Sequence, residues 1–207
     1  MIEESYTVRK AEERDEAEIA GLVVEGFLDK FRPIFGRGMD RSVWIMEKWV
    51  RLEHSIGGVR SLVVEVSATG ELAASVGVRV GESDDNALSG GLWEALERSL
   101  GFLRASWAAT LLSYPRYAAS PREAYVERLV VSPGYRNLGM ARTLLDASEN
   151  LARETGKATV GLHVSGNNVP ALRLYESYGY EEISEQRSRL TGYFLGIRSW
   201  LYLRKEL

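Results

Sequence analysis

The stretch Val131-Ser132-Pro133-Gly134-Tyr135-Arg136-Asn137-Leu138-Gly139-Met140-Ala141 leads from an apolar, β-branched run into a segment where Leu144, Leu145, Ser148, Leu151 and Ala152 recur at helical spacing. A strand that turns directly into a helix gathers unpaired backbone N–H groups at one point, and the aligned peptide dipoles add partial positive charge there. Such a point is an anion site. Gly139 and Ala141 are small enough for a diphosphate to approach the backbone, and Arg136 offers a fixed charge beside them. An ordinary strand-to-helix turn with an arginine at its lip fits the same residues.

Other residue types narrow the chemistry. No Lys-Ser or Lys-Thr follows a glycine loop, and no G-x-G-x-x-G closes a strand, so nucleoside-triphosphatase and nicotinamide readings lose most of their weight. The 207 residues contain no cysteine, which excludes a thiol nucleophile, a disulfide scaffold and cysteine-based metal sites, and suits a reducing compartment. His54 and His163 are the only histidines, too few for a histidine-rich metal centre, so no metal is expected. With 26 Lys+Arg against 29 Asp+Glu the net charge is −3, and no basic stripe marks a nucleic-acid partner. No apolar run approaches the roughly 18 residues needed to cross a bilayer, and the acidic, polar N-terminus is unlike a signal peptide. No membrane partner is expected and the location is read as cytoplasmic.

The elements that would hold this loop can be read from periodicity. Tyr6 to Arg9 reads as a strand, and Asp15 with Glu18 three residues on reads as a capping box for a helix burying Ile19, Ala20, Val23, Val24 and Phe27. Pro33, Gly36 and Gly38 make Asp29 to Arg41 a loop, followed by a helix over Val43 to Leu52. Ser61 to Ser67 and Glu71 to Val80 read as a hairpin. After a loop at Gly81 to Gly91, the stripe Leu92, Leu96, Leu100, Leu103, Trp107, Leu111 predicts one long amphipathic helix. Then come a strand (Ala124 to Val131), a helix (Met140 to Thr155) with Gly156 past its end, a strand (Ala158 to Val164), a short helix (Pro170 to Tyr178), and strand character at Glu181 to Leu190 and Trp200 to Leu203. The whole chain, 1–207, reads as one mixed α/β domain with a helical insertion near 84–120.

Two motifs in register resemble the GNAT superfamily of N-acetyltransferases. The R-x-x-G-x-A of Arg136 to Ala141, preceded by the strand Tyr125 to Val131, looks like the family's acetyl-CoA loop, Q/R-x-x-G-x-G/A. Downstream, Asn168-Val-Pro-Ala171-Leu-Arg-Leu174-Tyr175-Glu-Ser-Tyr-Gly179-Tyr180 resembles N-x-x-A-x-x-L-Y-x-x-x-G-F. The resemblance covers most of the chain and implies an α/β (α+β) fold: a mixed, mostly antiparallel central sheet flanked by helices, with two strands splayed after the acetyl-CoA loop.

It also implies roles. The N–H groups of Asn137, Leu138, Gly139, Met140, Ala141 and Arg142 would hold the pyrophosphate, with Arg136 beside them. Leu129, Val130 and Val131 would offer strand edges to the pantetheine arm and the acetyl carbonyl. Asn168 would bind the CoA arm or fix its turn; an N-cap for the following helix is an equal reading. Tyr175 would protonate the departing thiolate, the alternative being a core tyrosine. Glu127, placed two residues before Leu129 on the same strand face, would take the amine's proton. His163 or bound water are the other candidates, and a solvated strand carboxylate is the plain reading of Glu127.

The implied function is acetyl transfer from acetyl-CoA, as acyl-donor cosubstrate, to a primary amine of a small molecule, amino acid or protein N-terminus by direct attack. A non-catalytic CoA-binding module is the alternative, as is a scaffold that dimerises through the 92–112 helix; a homodimer does not exclude catalysis. Phe31, Arg32, Phe35 and Arg37 are either acceptor contacts or packing, and Tyr193, Phe194, Trp200 and Tyr202 are either pocket wall or core.

Overall fold

A computed structural model describes residues 5–117 and 120–207. Seven strands form one sheet in the order β1-β2-β3-β4-β5-β7-β6. They are β1 (Tyr6–Lys10), β2 (Val59–Val66), β3 (Leu72–Arg79), β4 (Glu123–Val131), β5 (Thr159–Ser165), β6 (Glu181–Arg187) and β7 (Ser199–Glu206). Every pairing is antiparallel except β4 with β5, as the family resemblance implied. A parallel pair needs a crossover, and α6 (Met140–Glu154) supplies it.

The sheet separates two apolar layers. On one face α6 and α7 (Val169–Ser177) bury Leu144, Leu145, Leu151 and Tyr175 against Val126, Val160, Leu162 and Val164. On the other, α1 (Glu16–Gly26), α2 (Leu28–Phe35), α3 (Ser42–Ile56), α4 (Asp85–Leu100) and α5 (Phe102–Leu112) bury Ile19, Phe35, Ile45, Leu96 and Leu111 against Val63 and Val130. A last short helix, α8 (Arg189–Phe194), joins β6 to β7. No helix among the described residues is long and apolar enough to cross a membrane.

Four local expectations are corrected. Asp15 and Glu18 do not form a capping box: Asp15 accepts from Arg9 at 2.6 Å and from the Glu12 N–H at 2.7 Å, while Glu18 reaches over to accept the Leu72 N–H at 2.7 Å. The segment at Asp29 to Arg41 is helical, because Pro33 costs the two-turn α2 a single main-chain bond while Phe31, Ile34 and Phe35 anchor it in the core. Most of the supposed Gly81 to Gly91 loop, from Asp85 on, is likewise helix, since Asp84 caps α4 by accepting from the Ala87 N–H at 3.0 Å. The long helix over 92–112 is two helices, broken where Gly101 takes φ 75° and ψ 160°, a conformation closed to other residues. Leu103 belongs to the expected stripe but is 82% exposed, since the break turns it outward.

Candidate active site

Strands β4 and β5 pair only from Glu123/Thr159 to Val126/Leu162. Beyond that point both continue, β4 held by β3 up to Val131 and β5 held by β7 up to Ser165, so a cleft opens between them. The Ser132 N–H bonds to the Ala73 carbonyl at 2.9 Å. By the alternation of an antiparallel ladder, the N–H groups of Val131 and Leu129 then point away from β3 into the cleft, and that of Val130 toward β3. The Val130 side chain is buried under α1 on the far face.

A short 3₁₀ turn, Pro133–Tyr135, leads from β4 into the loop. Arg136 sits exposed with Nε 3.3 Å from the Val131 carbonyl. Asn137 (φ 64°) and Gly139 (φ 85°) are both left-handed. This backbone path leaves five consecutive N–H groups, Asn137 to Ala141, without a backbone acceptor among the described residues. Arg142 differs from the expectation, because its N–H closes the first turn of α6 on the Gly139 carbonyl at 2.9 Å. A Cβ on Gly139 would meet no other atom within 4 Å. Consecutive free N–H groups at a helix N-terminus are the kind of backbone that binds anions.

Tyr175 lies on the buried side of α7 with its ring 5.8 Å from that of Tyr180, and burial raises its phenol to about 12. No hydrogen bond engages its hydroxyl among the described residues. Asn168 does what an N-cap does, its Oδ1 accepting the Ala171 N–H at 3.3 Å.

Glu127 is on the opposite face from the one expected. The β3–β4 register slips between Gly77/Arg128 and Val78/Val126, so Glu127 is the extra residue of a β-bulge. The bulge shifts the alternation: Val126, Leu129 and Val131 face α6, whereas Glu127, Arg128 and Val130 face α1 and α3. There Glu127 accepts from Arg79 Nε at 2.6 Å. Burial, with the Glu53 carboxylate nearby, raises its pKa to about 7 despite Arg79. Arg128 is buried beside it, paired with Glu53 and donating to Ser61 Oγ at 3.0 Å.

His163 stands across the base of the cleft, its Nδ1 2.7 Å from the Tyr125 hydroxyl and its Nε2 3.2 Å from Gln186 Nε2. Burial lowers its pKa to about 4, so it is neutral at pH 7. Tyr117 stacks on Tyr125 with ring centres 4.5 Å apart and shares the buried Glu123 carboxylate with Tyr202. Tyr117, Tyr125 and Gln186 were missed from sequence. Only alternation from Glu127 pointed to Tyr125; nothing in the spacing marks Tyr117, from the insertion, or Gln186, from an edge strand. Tyr202 and Trp200 are buried core of β7, while Tyr193 is 84% exposed. No group of three or more metal-ligating side chains occurs among the described residues.

A parallel strand pair that parts beside a row of free amides is the arrangement the resemblance implied. Residues 23–180 match the acetyltransferase (GNAT) family, and the chain belongs to it. It is 35% identical over 66 residues to the [ribosomal protein bS18]-alanine N-acetyltransferase of Escherichia coli (strain K12), covering 32% of this chain and 45% of that protein. It is 37% identical over 60 residues to "GCN5-related N-acetyltransferase 4, chloroplastic" of Arabidopsis thaliana, covering 29% and 21% of the two chains. The matched segments thus span less than half the length of these curated relatives. Among solved structures, the ribosomal-protein-alanine N-acetyltransferase of Brucella melitensis superposes with a TM-score of 0.63 at 16% identity over 97% of this chain and 99% of that one, a likeness of fold.

Proposed function

We propose that this chain transfers the acetyl group of acetyl-CoA directly to a primary amine. The observation that carries the reading is the row of five free N–H groups, Asn137 to Ala141, opening where β4 and β5 part, with a carboxyl group of pKa about 7 at the base of the cleft. The amides would hold the donor's diphosphate, and the N–H groups of Leu129 and Val131 would meet its pantetheine arm and acetyl carbonyl.

The amine attacks only when neutral. Glu127, poised near neutral pH, would take its proton directly or through water as nitrogen bonds to the carbonyl carbon. A main-chain N–H near Val131 would stabilise the oxyanion that forms. As the carbon–sulfur bond breaks, Tyr175, kept protonated by burial, would hand its proton to the departing thiolate. His163 is the weaker base, because Tyr125 and Gln186 already face both its ring nitrogens. No covalent enzyme adduct is needed.

Calorimetric titration with acetyl-CoA and CoA, followed by thiol release against a panel of amines, tests the reading. Binding with amine-dependent release is the expected result. Binding without release on any amine favours a non-catalytic CoA-binding module, and no binding overturns the reading.

A further inference from the structure

On the α3 side of β4 lies a cavity of about 350 Å³ whose walls include Trp49, Arg79, Arg116, Tyr117, Tyr125 and Glu127. That volume is at the lower end for small-molecule sites and suits a ligand of amino-acid size. Its charges do not balance. Arg79 is matched by Glu127 at 2.6 Å and Asp85 at 3.2 Å. The Arg116 guanidinium has no carboxylate partner among the described residues and rests 5.7 Å from the centre of the Tyr114 ring.

A second unmatched donor follows from Gln186. Its Oε1 accepts the Arg116 N–H at 3.2 Å and its Nε2 donates to the Arg116 carbonyl at 2.7 Å, which fixes the orientation of the amide. The same Nε2 faces His163 Nε2 at 3.2 Å, and as an NH₂ group it can only donate there. A neutral imidazole that accepts at Nε2 carries its hydrogen on Nδ1, so His163 donates to the Tyr125 oxygen at 2.7 Å. Tyr125 keeps its own hydrogen for another acceptor. It is only 8% exposed, lines the cavity, and finds no such acceptor among the described side chains. A buried donor left unsatisfied costs free energy that a bound acceptor atom recovers.

We propose that the amine acceptor is a small amino acid, its carboxylate held by the Arg116 guanidinium and the Tyr125 O–H while its amine meets Glu127. This rests on the acetyl-transfer reading above and names the substrate class for it. Gln186 acts as a positioning residue, since one side chain holds the Arg116 backbone and sets the direction of the Tyr125 donor.

The test compares acetyl-CoA-dependent thiol release on the common L-amino acids, each paired with its carboxamide, which keeps size and amine but removes the charge. On the best pair, kcat/KM is expected to favour the acid by about ten-fold or more, the scale of a charge-assisted hydrogen bond. Arg116→Ala should erase that preference, and Gln186→Leu should raise KM for the acid without changing KM for acetyl-CoA. Equal use of acid and amide, a better rate on short peptides, or an Arg116→Ala loss of the same size on both partners overturns the proposal while acetyl transfer stands.

If no amino acid or carboxamide accepts acetyl while another primary amine does, the amino-acid proposal is overturned and the transfer reading stands; if no amine of any class accepts acetyl although acetyl-CoA binds, the transfer reading fails. Calorimetry with the same pairs then decides the subsite: acid-selective binding lost in Arg116→Ala supports it, and no binding overturns it. With only two histidines in the chain, long-range ¹H–¹⁵N spectra also read the tautomer of His163. Hydrogen on Nδ1 is expected, and hydrogen on Nε2 removes the Tyr125 donor and with it the proposal.

Discussion

Glu127 accepts a hydrogen bond from Arg79 Nε at 2.6 Å because a single extra residue in β4 turns it away from the face that Leu129 occupies. The bulge therefore divides the strand's work. In the proposed reading its cleft edge and α6 face would serve the acyl donor, and the face under α1 and α3 the acceptor and its base.

Replacing that base is expected to slow turnover and flatten its pH dependence. In the wild-type chain kcat/KM should rise with pH toward a plateau above about 7, as Glu127 ionises. Glu127→Gln should lower kcat by roughly 10²- to 10⁴-fold and lose that limb. Stability carries the opposite sign: a carboxyl whose folded pKa is raised stabilises the fold below its ordinary pKa and loses that contribution as pH rises through the folded value. Melting temperatures between pH 5 and pH 8 should fall more for the wild type than for Glu127→Gln. A variant with an unaltered pH–rate profile would remove Glu127 from the reaction.

Tyr175→Phe takes away one hydroxyl from a ring that packs in the core. Turnover should drop by roughly 10²-fold, with acetyl-CoA affinity within about two-fold of wild type, since the ring's packing is kept. Pre-steady-state thiol release and calorimetry separate the two, and undiminished turnover would leave Tyr175 as a core tyrosine alone.

Gly139→Asp separates binding from folding. Aspartate tolerates a left-handed backbone better than most residues and is a favoured N-cap, so α6 should survive. The new carboxylate has room at this position and would place a negative charge on the loop of free N–H groups, repelling a diphosphate. We expect loss of acetyl-CoA binding by calorimetry with a melting temperature close to wild type. Normal binding would refute the loop assignment.

Gly161→Ala probes the packing beneath the site. A methyl group at this position of β5 would run into the Glu123 carboxylate and the Tyr202 ring, 2.9 Å away at Cε2. Urea denaturation should show a loss of about 1 to 3 kcal/mol, the usual cost of overpacking. A neutral result would mean that Glu123 has room to move.

Legibility in the sequence followed range. The loop from Val131 to Ala141 and the amphipathic face of α6 were readable because glycine conformation and helical period act within a few residues. The side chosen by Glu127 was not, because a bulge is set by the pairing of β4 with Gly77 and Val78, far away in the chain. The stripe across Gly101 looked continuous since a left-handed break does not disturb the three-and-four spacing of leucines. Tyr125, His163 and Gln186 come from three different strands and Tyr117 from the loop after α5, so their meeting depends on tertiary pairing that no local pattern records.

The N–H row at Asn137 to Ala141 is made of main chain, which every amino acid but proline shares. The side chains of Arg136 and Leu138 project outward, and Leu138 is 58% exposed, so mutation can redraw the outside of this loop while the amides keep their places. Vulnerability concentrates at the two left-handed positions, Asn137 and Gly139, where a β-branched replacement would bend the path itself. The proposed donor site is thus written in conformation, and the proposed acceptor cavity, written in side chains, would be the part free to drift toward a new substrate.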